Sequence, residues 1–147
     1  MEQRVAVRKL YPDALMPTYG SADAAGADLY AYLPEPLVLA PGETYLVKTG
    51  LSMAIPRGFV GLVCARSGLA TKRGLAPANK VGVIDADYRG EIMVALHNHS
   101  DKEATIEPRE RIAQLLIVPY LTADFCESES LDETERGEGG FGSTGTK

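Results

Sequence analysis

The sequence predicts an all-β fold, a sandwich or barrel with one short helix and a flexible C-terminal arm. Three observations predict it. Strand-length runs recur at short spacing between Pro, Gly and Asp turns. No window carries a long apolar period of 3.6 residues, so helix is scarce. From Asp124 onward the composition turns acidic and then glycine-rich, as a solvated arm does.

At 147 residues, 45% hydrophobic and 24% charged, the chain has the size and composition of one domain with an ordinary core. Its net charge of −5 argues against duplex nucleic acid as the main partner, which wants a basic face. A small anionic ligand needs only a few local donors and stays open. No apolar run reaches the roughly 18 residues that a membrane span needs. Met1-Glu2-Gln3-Arg4 leads into alternating residues without an apolar signal core, so a cytoplasmic location is expected. Cys64 and Cys126 form no Cys-x-x-Cys pair; Cys64 reads as a small core residue, and no disulfide is expected.

Val5 and Val7, alternating with Arg4, Ala6 and Arg8, open a first strand. Pro12, Pro17 and Gly20 mark loops. Ala24-Ala25-Gly26-Ala27-Asp28-Leu29-Tyr30-Ala31 bends into a short strand, and Leu37-Val38-Leu39 runs into a Pro41-Gly42 turn. Residues 45–55 read as strand, Pro56-Arg57-Gly58 as a turn, and residues 59–65 as strand again. The helical exception is Ser67-Gly68-Leu69-Ala70-Thr71-Lys72-Arg73-Gly74, with Ser67 as cap and Gly74 as terminator. A helix start carrying Arg66 and Ser67 directly after an apolar strand suits an anion; the plain alternative is an ordinary capped helix.

The centre of the chain is Gly82-Val83-Ile84-Asp85-Ala86-Asp87-Tyr88-Arg89-Gly90-Glu91. Residues 80–84 and 91–98 are strand-like arms around an Asp/Gly-containing turn, expected to pair as a β-hairpin. Backbone groups on its inner side can read a flat polar ring as they would read another strand. Asp85 beside Tyr88 suits a site that holds a small ring and activates water. The alternative is turn formers next to a strand aromatic. His97 and His99 share a face at i, i+2 without an evident third ligand, and read as surface or packing histidines. Residues 111–119 form a near-continuous apolar strand with one amide, Gln114, which a core bond or a ligand must satisfy.

Asp124, Glu127, Glu129, Asp132, Glu133 and Glu135 make an acidic linker. Arg136-Gly137-Glu138-Gly139-Gly140-Phe141-Gly142-Ser143-Thr144-Gly145 follows. Glycine N–H groups can nest phosphate oxygens, Arg136 can pair with them, and Phe141 can stack on a ring. The Gly-Lys-Ser/Thr ending of a P-loop is missing. Either this is a low-complexity tail or a lid that orders over a ligand.

Five segments carry a resemblance: Ala24-Ala25-Gly26-Ala27-Asp28-Leu29-Tyr30; Ala65-Arg66-Ser67-Gly68-Leu69-Ala70; residues 82–91; Arg111-Ile112-Ala113-Gln114-Leu115-Leu116; and residues 136–145. In order and spacing, over nearly the whole chain, they resemble the five motifs of the trimeric dUTP diphosphatase (dUTPase) family. Ala65 stands where many members have Pro, and Ala27 where a larger residue is common. The resemblance implies a jelly-roll homotrimer. Residues 1–123 would form the jelly-roll domain, and residues 124–147 a linker and arm that complete a neighbouring subunit's active site. Each of three sites would take the helix start and Gln-bearing strand from one chain, the uracil hairpin from a second and the arm from a third.

The implied reaction is dUTP and water giving dUMP and pyrophosphate with Mg²⁺. It limits uracil incorporation into DNA and supplies dUMP for thymidylate synthesis. By the same resemblance, Asp85 deprotonates the water that attacks the α-phosphorus, and Tyr88 packs under the deoxyribose and excludes a 2′-hydroxyl. Backbone groups around Val83, Ile84 and Met93, with the Asn79 side chain, read uracil. Arg66, Ser67, Gly68 and Gln114 hold phosphates. Arg136, Ser143 and Thr144 close on the γ-phosphate, Gly142 also binds substrate, and Phe141 covers the base. Asp28 supports the site through the metal's water shell or a structural bond. The ion is held by the phosphates and water, with no direct protein ligand implied. Two rivals share the fold reading. A dCTP deaminase relative lacks the glycine arm, and a regulatory binding protein keeps the nucleotide site only as a switch. A structural β-sandwich with an idle tail is the third alternative.

Overall fold

A computed structural model of the chain describes residues 2–146; Met1 and Lys147, the outer ends of the two expected segments 1–123 and 124–147, lie outside the described residues. In chain order the elements are β1 (Ala6–Lys9), β2 (Thr18–Tyr19), β3 (Ala27–Tyr30), β4 (Leu37–Leu39), β5 (Thr44–Ala54) and β6 (Phe59–Cys64). Then come α1 (Ser67–Arg73), β7 (Leu75–Pro77), β8 (Gly82–Ile84), β9 (Glu91–Asn98), β10 (Ala104–Ile106) and β11 (Arg111–Pro119). The fold is all-β, as the turn spacing predicts, and β2, β7 and β10 are short additions that the sequence pattern did not mark.

The strands form a four-stranded sheet, β1-β5-β9-β7, a five-stranded sheet, β2-β3-β11-β6-β8, and the pair β10-β4. All pairings are antiparallel. The core fills the space between the sheets, with Leu29, Leu39, Val47, Leu75, Leu96, Ile106 and Ile112 fully buried. Burial of each such side chain stabilises the fold by about 1.5–3 kcal/mol. Strand β9 shows why the alternation works. Ile92, Val94, Leu96 and Asn98 point inward, and Asn98 spends its whole amide there. Its nitrogen donates to the Leu39 and Lys102 carbonyls, and its oxygen accepts from Ser100, so the buried polar group is satisfied.

Three local expectations are corrected. First, residues 80–84 and 91–98 do not pair as a hairpin. β8 pairs with β6 in one sheet, while β9 pairs with β5 and β7 in the other. Each arm gains a ladder to a longer strand and a place in a core-facing sheet, which an isolated two-stranded ribbon lacks. Residues 85–90 therefore cross from sheet to sheet and leave an opening between the arms. Second, Ser67 does not cap α1. Arg66 occupies the cap position in extended conformation without a side-chain cap bond, and Ser67 is the first helical residue. Thr71 Oγ1 donates back to the Ser67 carbonyl at 2.7 Å. Gly74 does terminate the helix, in the left-handed region at φ 66°. Third, Cys64 is half-buried and not a core residue; both cysteines are free thiols.

Residues 121–146 carry no strand or helix. Among the described residues, the arm's hydrogen bonds from Asp124 onward stay within the arm. Leu121, Phe125, Leu131 and Phe141 stand almost fully exposed.

Candidate active site

The opening between the arms is a slot of about 240 Å³, lined by Asn79, Gly82, Val83, Ile84, Asp85, Tyr88, Met93 and their neighbours. Most of the sequence-predicted ring-binding residues thus share one concave surface. β8 is the outer strand of its sheet, so one of its edges is unpaired. β7 covers β9 only from Leu96 to Asn98, with one more bond from Ala78 N to the Ala95 carbonyl. Backbone groups alternate sides along a strand. Ala95 O points toward β7 and Ile92 O receives Thr49 Oγ1 from β5, so the N–H and C=O of Met93 face the slot. A planar ring with its own donors and acceptors is the natural occupant of two such edges.

Asp85 is exposed and makes no ion pair among the described residues. Its carbonyl accepts from Tyr88 N at 3.1 Å, which closes a turn and brings carboxylate and ring to the same surface. The Tyr88 hydroxyl donates to the Glu91 carbonyl at 2.9 Å. Arg89 braces the turn by donating to the carbonyls of Ala86 and Tyr88. Val83 is 64% exposed and lines the slot.

A second cluster forms where α1 meets β3 and β11. Asp28 is buried, and its carboxylate holds Arg66 Nε at 2.9 Å and Arg111 Nη1 at 3.3 Å. Arg66 also donates to the Arg111 carbonyl. Two guanidinium groups share one carboxylate, which leaves a net positive surface suited to phosphate. Gln114 lies opposite Asp28 and Cys64 in the ladder, and its amide nitrogen donates to the Ala65 carbonyl at 2.9 Å. A β-carbon on Gly26 would fall 2.4 Å from Gln114 Oε1, so only glycine lets this amide lie where it does. Ser67 and Gly68 are exposed beside Arg66 at the helix start. Arg73, at the other end of α1, binds Glu110 and the Thr105 carbonyl and ties the helix to the β10–β11 turn. Arg111 is the member that sequence reasoning missed. Its only cue was a charged residue heading an apolar strand.

The third group, on the arm, stands alone. Arg136 Nε donates to the Gly139 carbonyl at 2.8 Å, and Ser143 N donates to the Gly140 carbonyl. Phe141, with φ 49°, and Gly142, with φ 86°, form the tip beside Ser143 and Thr144.

These groups do not converge within one chain. Ile84 pairs with Gly61 and Gly82 with Val63, so Asp85 lies near Val60 while Arg66 follows the far end of β6. Five to six residues of strand separate them, about 15–20 Å at ~3.3 Å per residue. His97 accepts or donates a cross-strand bond with Thr44 Oγ1 at 2.8 Å, an ordinary packing contact.

A two-sheet β-sandwich with a ring-sized slot, a cationic cluster and an arm whose hydrogen bonds stay within itself is the layout of a nucleotide-processing protein. The family model for dUTPase matches residues 13–145, and the chain belongs to that family. It is 46% identical over 144 residues to the deoxyuridine 5′-triphosphate nucleotidohydrolase of Hydrogenobaculum sp., covering 98% of this chain and 99% of that relative. With the corresponding protein of Syntrophotalea carbinolica it shares 47% identity over 141 residues, 96% of each chain. Among solved structures, the dUTPase of Staphylococcus bacteriophage 80alpha with dUpNHpp superposes with a TM-score of 0.88 at 32% identity, covering 99% of this chain and 100% of that one.

Proposed function

We propose that the chain is a homotrimeric dUTP diphosphatase that hydrolyses dUTP to dUMP and pyrophosphate. Residues 1–123 act as the jelly-roll domain and residues 124–147 as an arm that serves a neighbour. The observation that carries this reading is the slot between β8 and β9, with Asp85 and Tyr88 on its wall.

Uracil enters the slot edge-on. Its carbonyls and N–H meet the backbone of Val83, Ile84 and Met93 and the Asn79 amide. Cytosine reverses the donor/acceptor pattern at N3 and C4 and would leave groups unpaired beneath the bound ring, the stronger kind of rejection; the thymine methyl is excluded only by size. Tyr88 lies under the deoxyribose. Asp85 accepts a proton from water as its oxygen bonds to the α-phosphorus. The bond from that phosphorus to the α,β-bridging oxygen breaks, and pyrophosphate leaves. Arg66, Ser67, Gly68 and Gln114 of a second chain hold the phosphates, with Arg66 aimed by Asp28. Arg136, Ser143 and Thr144 of a third reach the γ-phosphate while Phe141 and Gly142 close over the base. Such donors act most strongly where charge gathers on the leaving group.

A bound Mg²⁺ would supply further neutralisation of the leaving group. The donor set suits an ion carried by the phosphates: Asp28 is engaged by Arg66 and Arg111, and Asp85 faces the nucleophile. The spacing of Asp85 and Arg66 along β6 supports assembly from several chains. A cytoplasmic location and a role in sparing DNA from uracil follow from the same reading, with neither nucleic acid nor membrane as partner. No helix among the described residues is long and apolar enough to cross a membrane.

Pyrophosphate release with Mg²⁺, measured on dUTP beside dCTP, dTTP and UTP, tests it. Hydrolysis of dUTP alone is expected. Comparable rates on all four would overturn the slot's role, and ammonia release from dCTP would favour a deaminase.

A further inference from the structure

We infer that Gly90 is a specificity-determining position that acts through Tyr88. Its lack of a side chain sets where the Tyr88 ring lies, and so which sugar the slot accepts. This rests on the reading of Tyr88 as the deoxyribose platform.

A β-carbon on Gly90 would fall 2.4 Å from Tyr88 Oη, 2.5 Å from Cζ and 2.9 Å from Cε2. The ring therefore lies directly against the Gly90 backbone. It is held there by the hydrogen bond from Tyr88 Oη to the Glu91 carbonyl. That carbonyl belongs to a pinned segment. The β5–β9 ladder lapses between Lys48 and Ser52, and side chains replace the missing bonds. Glu91 Oε2 accepts from Gly50 N at 3.0 Å, and Thr49 Oγ1 donates to the Ile92 carbonyl at 2.6 Å. The backbone beneath the ring is fixed, whereas the ring itself is 42% exposed. A methyl group at Gly90 is thus relieved by moving the ring, at small cost to the fold. A displaced ring no longer closes off the space beside the sugar's second carbon, while the base-reading edges of β8 and β9 remain as they were.

The test compares full-length wild type, Gly90→Ala, Tyr88→Phe and Tyr88→Ala by kcat/KM for dUTP and UTP, with a thermal melt for each. Wild type is expected to prefer dUTP strongly and Tyr88→Ala to lose that preference. Gly90→Ala should lower the dUTP-to-UTP ratio by about tenfold or more, the scale at which small changes in pocket fit are felt, with Tm close to wild type. Tyr88→Phe keeps the ring without its anchor and should fall between. A wild-type ratio in Gly90→Ala, or an equal decline on both substrates, overturns the inference while leaving the platform reading intact. If Gly90→Ala fails to fold, Tyr88→Phe decides, and an unchanged ratio there overturns it. Retained preference in Tyr88→Ala would sink the platform reading itself, and a wild type without preference would sink the proposed function.

Discussion

Asp28 Oδ1 lies 2.9 Å from Arg66 Nε, and the other carboxylate oxygen reaches Arg111. One buried acid thus aims two cations, one from the cap of α1 and one from the start of β11. Hydrogen bonds to charged groups contribute about 1.5–3 kcal/mol each. Asp28→Asn keeps the shape but leaves two like charges facing an amide. It should raise KM for dUTP by roughly 10–100-fold, on that same scale, with a smaller effect on kcat. Steady-state kinetics check this; an unchanged KM would mean that Arg66 needs no aiming.

Gly26→Ala probes the neighbouring contact. Its methyl would take the place of Gln114 Oε1, 2.4 Å away, and so disturb the bond to the Ala65 carbonyl. Overpacking of this kind costs about 1–3 kcal/mol. A lowered Tm together with weaker dUTP binding is expected. A loss of stability with full affinity would remove Gln114 from the phosphate site.

Much of this was legible in the sequence because it is local. Pro56-Arg57-Gly58 separates β5 from β6 as read, and Gly74 ends the only helix among the described residues. Asn79, Val83, Ile84, Asp85, Tyr88 and Met93 were readable as a group because they lie close together in sequence, whereas Leu46 and Val63 join the same slot from distant strands. What was not legible is long-range. Nothing near Gly82 or Glu91 says that the two arms join different sheets, since the choice of strand partner depends on β5 and β6. Arg111 meets Asp28 across 83 positions of sequence, through the β3–β11 pairing. Ser67 looks like a cap by residue type, but the extended Arg66 takes that place. β7 ends in Pro77, which hides a strand from propensity rules.

Away from the site, Tyr32 donates to Asp13 Oδ1 at 2.7 Å and stacks on Tyr11. That bond lowers the Asp13 pKa from its ordinary 3.8 and raises that of Tyr32 from 10.0. The stabilisation from Asp13 is present above pH 3.8 and is lost as pH falls through the lowered value. For Tyr32 it is present below pH 10.0 and is lost as pH rises through the raised value. The Tm difference between wild type and Tyr32→Phe should be flat between these limits and shrink beyond either. A difference that persists unchanged into strong acid would rule out the bond as its source.

Asp85→Asn separates chemistry from binding. The amide keeps the size of the side chain but cannot take a proton. A fall in kcat of about 10²–10⁴-fold is expected, the usual contribution of a positioned base. Binding of a non-hydrolysable dUTP analogue, measured by calorimetry, should stay near wild type. Normal turnover would refute the assignment of the base.

The sharing of each site among chains is tested most directly by mixing two inactive proteins. One carries Asp85→Asn; the other lacks residues 136–147, a deletion that should leave Tm unchanged, since among the described residues of this segment the hydrogen bonds reach back no further than Thr134. After co-refolding at equal amounts, a slot with Asp85 and an intact arm meet on different chains in about one site in four if subunits assort at random. About a quarter of wild-type activity should return. If activity stays at the level of the separate variants, slot and arm belong to the same chain, and the shared-site arrangement is wrong.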